Sequence, residues 1–599
     1  MTDATRNLLE QHFDTAFAAP DGIARLRELI LTLAMQGKLV KQDPNDPSAS
    51  ELLKEIEAEK QRLVEAGKIK KPKPLPPIKP EEVPYELPQG WEWVRLGDIC
   101  SYIQRGKGPK YVDVSTHRVI SQKCVRWYGL DLEPARYIDP ASLDKYEPIR
   151  FLRVGDLLWN STGTGTIGRA CLVPQELEGV EIVADSHVTV VRSIGVRPVF
   201  LWRWIQSPTV QNEIEGSASG TTNQIELNTS TVINHLMPLP PIPEQHRIVA
   251  RIDQLMARCD ALEKLRKERE EKRLAVHAAA IKQLLDSDPS FPRRRESSSS
   301  EELDPRLRGG DEKGRGSDGV SVSAWDFIQQ HFGELYTVKE NVAELRKAIL
   351  QLAVMGRLSE QKTNDESVSA LLTNVHAERQ RLKIRKTTDL INSPKPLDYE
   401  IPEQWKWVCL DDVLIFGPTN GFSPRAVDYE TNIRSLTLSA TTSGTFKGEY
   451  SKFIDADISN DSDLWLRDGD ILVQRGNTIE YVGVSAVYRG NPGVYVYPDL
   501  MMKLRVSSHM DTDYVYYAMS SVPAREYLRA HASGTSGTMP KINQKTLKSL
   551  PIPVPPLEEQ HRIVVKIKGL MDLCEILDQQ IDDATGKQTE LLNAVMAQV

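Results

Sequence analysis

At 599 residues, with 40% hydrophobic and 26% charged side chains, the chain is too long for one core and has the make-up of several globular domains. Its net charge of −8 excludes a protein that coats nucleic acid by electrostatics alone, while leaving room for local basic clefts. No apolar run approaches the ~18 residues of a membrane span, and MTDATRNLLEQHF has neither the basic start nor the apolar middle of a signal peptide, so a cytoplasmic location and no membrane partner are expected.

In chain order, residues 1–84 read as a helical repeat and a connector. Leu26, Leu29, Ile30 and Leu33, then Leu52, Leu53, Ile56 and Leu63, make two amphipathic helices with GKL marking the break between them. From 85 to 237 the pattern changes: GWEWVRL alternates, VGDLLWN is a short strand-like run behind a turn, VTVVRS is rich in β-branched residues, and Gly and Pro are dense. This predicts a globular α/β domain. Residues 238–286 form a long helix whose start is fixed by the prolines of LPPIPEQ. Ile248, Ile252, Leu255, Cys259 and Leu262 recur at steps of four and three, an a/d seam of the kind that packs as a coiled coil.

Residues 287–324 break the pattern. The stretch from Ser287 to Gly319 has Phe291, Leu303 and Leu307 as its only large apolar side chains and reads as a disordered linker. FPRRRES and DPRLRGGD resemble the read-through of a dispersed bacterial repeat element, which marks the segment as an insertion.

The earlier order then repeats. LRKAILQLAVMGRL within 325–398 copies LRELILTLAMQGKL at an offset of 319, the domain of 399–552 opens on YEIPEQWKWV as the first opens on YELPQGWEWV, and the helix of 553–599 repeats EQHRIVARIDQLMARCDAL as EQHRIVVKIKGLMDLCEIL. Its seam is Ile563, Ile567, Leu570, Cys574 and Leu577. The fold expected is mixed α+β: two globular domains on an internally duplicated frame of long helices packed as a coiled coil.

No catalytic constellation stands out. GTGTIGRA has the glycine spacing of a phosphate loop, but Arg169 and Ala170 stand where Lys and Ser/Thr must meet phosphate and metal. There is no GxGxxG behind a strand, no HExxH and no GxSxG. The six cysteines lack CxxC spacing and are expected to be reduced structural thiols, with no metal site. His246 and His561, at equivalent places in the repeated helix, have no nucleophile beside them in sequence and read as interface or capping residues.

The duplicated LPPIPEQHRIVARIDQLMARCDAL, the duplicated LRKAILQLAVMGRL and SGTT at Ser219 leading to Asn228 resemble the specificity (S) subunit of type I restriction-modification enzymes over almost the full chain. The resemblance implies that each variable domain is a target recognition domain for one half of a bipartite, asymmetric site in double-stranded DNA. It implies that the helices set the half-site spacing and dock two methyltransferase (M) subunits, which carry S-adenosylmethionine and methylate adenine at N6. Nuclease/translocase (R) subunits, using ATP and Mg, would join that complex. This chain then binds no cofactor of its own and has no catalytic residue. The seam residues Ile248, Ile252, Leu255, Leu262, Ile563, Ile567, Leu570 and Leu577 are the docking candidates.

Polar loops supply candidate DNA contacts. In the first domain these are Gln104, Arg105, Lys107 and Lys110 of QRGKGPK, then Asn160, Thr162 and Thr164 of NSTGTGTIGR, then Thr221 and Asn223 of SGTTNQ. In the second they are Gln474, Arg475 and Asn477 of QRGNTIEYVG, with Thr538 and Lys541 of SGTMPK. With 15 Lys and Arg against 17 Asp and Glu between Tyr85 and Met237, the first domain is not basic overall, so strong binding is expected to need the M subunits. The alternative reading is a non-catalytic DNA-binding scaffold or regulator that works without a methyltransferase. A self-contained nuclease would need an acidic metal cluster that the sequence does not show.

Overall fold

Both copies of the repeat begin on the same helical pair. In a computed structural model of the chain, residues 15, 17–163, 165–218, 227–286, 324–384, 394–534 and 539–597 are described. Ser48 caps the helix Ala49–Glu65 by accepting from the Glu51 amide, and Ser367 caps Val368–Arg381 by accepting from Ala370. The helices before them, Gly22–Met35 and Lys339–Val354, stop at Gly37 and Gly356, which take φ of 68° and 71°. A Cβ there would run into the ring of Pro88 or Pro402, so glycine is required twice over.

Each variable domain starts and ends on a two-stranded antiparallel ribbon. Glu92–Arg95 pairs with Leu236–Leu239, and Lys406–Cys409 pairs with Pro551–Val554. Between them lies a four-stranded antiparallel sheet, ordered Cys100–Arg105, Val188–Ser193, Leu157–Asn160, Ala170–Leu172 in the first copy. The second copy has Leu414–Asn420, Met501–Val506, Ile471–Gln474, Ser485–Val487 in the same order. A smaller sheet accompanies each, built on a parallel pair: Arg118–Ile120 with Val183–Ala184, and Arg434–Leu436 with Tyr495–Val496. The expected α/β domains on long helices are therefore present. The runs VGDLLWN, DGDILVQ, VTVVRS and MMKLRVSS all supply central strands, because both faces of those strands are covered.

The ribbon hands the chain directly to a long helix, Ile242–Asp286 or Leu557–Met596. Ile248, Ile252 and Cys259 are buried in one core with Ile30, Met35, Trp91 and Met237 of their own copy. Ile563, Ile567 and Cys574 likewise join Ile349, Trp405 and Ile552. The seam thus packs first on its own helical pair and domain, with each buried Ile contributing roughly 1.5–3 kcal/mol. Leu255, Leu570 and Leu577 are half-buried, whereas Leu262 is 47% exposed and is not part of that packed seam.

Two compact units follow: Met1–Arg269 with Ala584–Val599, and Glu270–Asp583. In the first, Leu592 packs with Phe17, Ala19 and Leu29; in the second, Ala280, Ile281 and Leu284 join the core with Ile328 and Tyr336. All six cysteines are buried and none is in a disulfide. Among the described residues no helix is long and apolar enough to cross a membrane. The expected linker falls outside the described residues except for Ala324, the first residue of a short helix ending at Gln330.

Candidate nucleic-acid interface

The repeated EQHR is a clamp. Trp91 donates its indole N–H to Glu244 at 2.9 Å, and Trp405 donates to Glu559 at 3.0 Å. Burial pushes both carboxyls above their ordinary range, against the pull of those donors. Gln245 accepts the Arg197 amide at 3.0 Å and donates to the Pro240 carbonyl at 2.9 Å. Gln560 does the same with Asp511, at 3.0 Å, and Pro555, at 2.9 Å. Arg247 and Arg562 pair with Asp46 and Asp365 in the loops of the helical pairs. His246 meets the Arg197 guanidinium, and His561 lies 3.6 Å from Asp511. The four residues thus fix the domain, the ribbon and the helical pair to the start of the long helix. That is why this segment is kept in both copies while the domains differ.

The clamp leaves the far end of each central sheet free to carry contacts. In the first domain the register sets Arg105 opposite Thr189 and Asn160 opposite Val188, so the loops after Arg105 and Asn160 and the loop before Val188 open at one end. Arg150 gathers the first loop, donating to the Gln104 side chain at 3.2 Å and to the Arg105 carbonyl at 3.3 Å. Lys107 lies over the Tyr146 ring at 5.7 Å, and Lys110 pairs with Asp139 at 3.0 Å while remaining 75% exposed. Thr162 lies 2.7 Å from His187 Nδ1.

Two candidate readers are instead loop anchors. Asn160 is fully buried and donates to the carbonyls of Gln122 at 3.0 Å and Thr166 at 3.2 Å. Gln474, its counterpart, is fully buried and donates to the Leu438 carbonyl and the Thr441 hydroxyl, both at 3.0 Å. Asn477 donates to Gln474 Oε1 at 2.7 Å and caps the turn through Thr478. A polar residue ending a strand beneath a loop satisfies the loop's backbone groups, and here the amide nitrogens of Asn160 and Gln474 are taken up inside the domain. Thr164, Thr221, Asn223 and Thr538 lie outside the described residues.

In the second domain the structure brings Arg475 and Lys541 together. Arg475 takes its backbone bonds from Leu500 and Ile542, and Gly476 bridges to Lys541. Beside them a cleft of about 530 Å³ is lined by Asn420, Arg475, Asn543, Gln544, Lys545 and Lys548. Asn543 caps the short helix Gln544–Lys548 by accepting from Thr546, which sets Lys545 and Lys548 three residues apart along that helix. Sequence reasoning missed these lysines, although KINQKTLK carried the spacing.

It also missed a shared loop. GKGPKYVD from Gly106 and GFSPRAVD from Gly421 repeat Gly, Pro, a basic residue, Val and Asp without a gap. A Cβ at Gly106 would collide with the Ala184 carbonyl, at the end of Val183–Ala184, and one at Gly421 with that of Tyr497, just after Tyr495–Val496, so the two loops press on corresponding places in their smaller sheets. Phe422 and Arg425 therefore stand where Lys107 and Lys110 stand in the first copy. Among the described residues no cluster of His, Cys, Asp and Glu is arranged to hold a metal.

Comparison with known proteins fits this arrangement. The model of the type I restriction modification DNA specificity domain matches twice, over residues 88–271 and 402–584. The type I restriction enzyme EcoEI specificity subunit of Escherichia coli is 29% identical over 591 residues, covering 96% of this chain and 93% of that protein. The EcoAI specificity subunit of Escherichia coli is 30% identical over 586 residues, covering 95% and 92%. A chain from a structure on complex assembly and conformational transition of the type I R-M system is 19% identical, covers 86% of this chain and 98% of its own, and superposes with a TM-score of 0.48. With both matched segments spanning a domain and the clamp that follows it, the chain belongs to the family of type I restriction-modification specificity subunits.

Proposed function

We propose that this chain reads a bipartite, asymmetric site in double-stranded DNA, one half with each recognition domain, and does no chemistry itself. The observation that carries the reading is one clamp and one sheet topology used twice, with unlike side chains at the two sheet ends: Gln104, Arg105, Lys107 and Arg150 in one domain, Asn420, Arg475, Lys541 and Lys545 in the other. Identical scaffolds with different edges suit one protein that must recognise two different sequences. The long helices set the spacing between the half-sites and dock two methyltransferase subunits, and nuclease subunits join for restriction. Adenine-N6 methylation then draws on S-adenosylmethionine in the methyltransferase subunits, and restriction on ATP and Mg in the nuclease subunits.

A genome-wide map of N6-methyladenine, with this chain present and deleted, tests the reading. The expected result is a split motif that disappears on deletion, and exchange of residues 399–552 for those of a relative should change only one half of it. Identical maps would overturn the reading in favour of a DNA-binding scaffold that acts without a methyltransferase.

A further inference from the structure

Neither recognition domain is basic: the second carries 15 Lys and Arg against 18 Asp and Glu, much like the first. Positive charge concentrates elsewhere. The connector GKIKKPKPLPPIKP, Gly67 to Pro80, holds Lys68, Lys70, Lys71, Lys73 and Lys79 with no acidic residue. All five lysines are exposed, and among the described residues the only ion pair of the five is Lys79 with Glu81 at 3.9 Å.

This run is stiff and held in place. Lys71, Lys73 and Lys79 each precede a proline, which confines them to extended backbone, and the prolines fix their own φ. The buried Arg95 donates to the carbonyls of Pro76 at 2.9 Å and Pro77 at 3.4 Å and pairs with Glu82 at 3.0 Å. The connector is thereby pinned to the first recognition domain. Lys71 and Lys73 border a groove of about 1100 Å³ that is also lined by Glu57, Glu65 and Asp98 and by Ser101, Tyr102 and Ile103. The last three belong to the strand that ends in Gln104 and Arg105. The second copy has Cys409 in place of Arg95, so this arginine anchor has no counterpart there.

We propose that the lysine-proline connector is a phosphate rail, a preordered row of cations that holds the DNA backbone beside the half-site read by the first domain. It rests on the reading of the chain as a DNA-recognition subunit and adds where the sequence-independent part of binding comes from. A duplex fits better than an acidic protein surface, because an extended row of exposed lysines matches the regular charge of a phosphate backbone.

The test uses the chain assembled with its methyltransferase subunits, and two probes: a duplex carrying the methylated motif and one of unrelated sequence. All five lysines are changed to Gln, and affinity is followed from 50 to 200 mM salt. Taking one cation away from a phosphate should lower the salt slope by about 0.9, so taking away three would shrink the salt-induced fall in affinity by roughly 40-fold. The effect should be the same on both duplexes, with the methylated motif unchanged, and five Lys→Arg changes should preserve the slope. An unchanged slope in an intact complex overturns the proposal. Failure to assemble, with an unchanged slope in whatever complex forms, also overturns it and assigns the connector to a protein partner. If the wild-type complex binds both duplexes alike, it is the recognition reading that falls, and the rail is still decided by the slope on the unrelated duplex.

Discussion

The two recognition domains differ most where their sequences must and least where they meet the helices. Gln245 and Gln560 make matching hydrogen bonds, and Trp91 and Trp405 end on matching glutamates. At the sheet interior the copies diverge. Asp156 and Asp470 each accept a backbone amide at 2.8 Å, from Arg153 and Arg467, but Asp156 has one cation beside it, Arg192 at 2.6 Å, among the described ion pairs, whereas Asp470 is flanked by Arg505 at 2.7 Å and by the fully buried Lys503 at 3.6 Å. The two copies therefore brace the strands of their central sheets in different ways, while the joint to the frame is the same.

The sharpest way to break the comparison is to remove the two aspartates. Asp470→Ala leaves Lys503 buried without a carboxylate, with only the carbonyls of Asp463 and Trp465 and the rings of Phe416 and Tyr497 around its ammonium, and should cost about 3–5 kcal/mol. Asp156→Ala should cost less, because the Arg192 side chain is 12% exposed and keeps the carbonyls of Ile149 and Phe151. A chain of two units need not unfold in one step, so hydrogen exchange is the measurement, read on Met501–Val506 and Val188–Ser193. Equal loss of protection in both strands would show that the extra buried lysine makes no difference.

Next come the clamps, which should behave alike. Gln560→Ala strands the Asp511 amide and the Pro555 carbonyl, and Gln245→Ala strands the Arg197 amide and the Pro240 carbonyl. Each should cost about 1–3 kcal/mol. Local exchange at the first turn of each long helix reads the effect, and a large difference between the two would mean that the joints are not equivalent.

The frame is legible in the residues themselves, because a duplicated pattern with unbroken period reports helices directly: Ile248 and Ile252 are buried as their spacing requires. The central strands are legible from their β-branched runs. The readers are not. Asn160 and Gln474 end strand-like runs in sequence and read as the start of polar loops, and only the structure shows that both side chains are buried against loop carbonyls. Conversely Lys545 and Lys548 lie far from Arg475 along the chain, and the bridge between Gly476 and Lys541 is what brings them beside it. The role of EQHR is hidden for the same reason, since its partners other than the Pro240 and Pro555 carbonyls are 48 to 202 residues away. Period survives in sequence, but partnership across a sheet does not.

At the sheet ends the comparison becomes one of recognition. Arg475→Ala should relax one position of one half-site, at about 1–3 kcal/mol if the guanidinium meets a base edge, and Arg105→Ala should do the same in the other half only. Gln474→Ala should instead loosen the loop that carries Arg475, seen as faster exchange at Gly476 to Gly483, without a discrete change at one base pair. Methylation mapping distinguishes these outcomes, and loss of specificity in both halves from a single change would contradict independent reading.

The smallest effect is expected from the loop that opens with Gly106 in one domain and Gly421 in the other. Lys110 and Arg425 occupy the same place, each near an aspartate: Lys110 pairs with Asp139 at 3.0 Å, and Arg425 lines a cleft with Tyr429 and Asp455. An exposed pair of this kind contributes only about 0–1 kcal/mol to folding, so Lys110→Ala should leave stability nearly unchanged. If both residues touch phosphate, each alanine variant should lower the salt slope by about 0.9 and weaken motif and unrelated duplexes alike. Equal slopes would mark this loop as the element through which two differently reading domains hold DNA in the same way. A change of recognised base in either variant would mean that even the shared loop has been recruited to specificity.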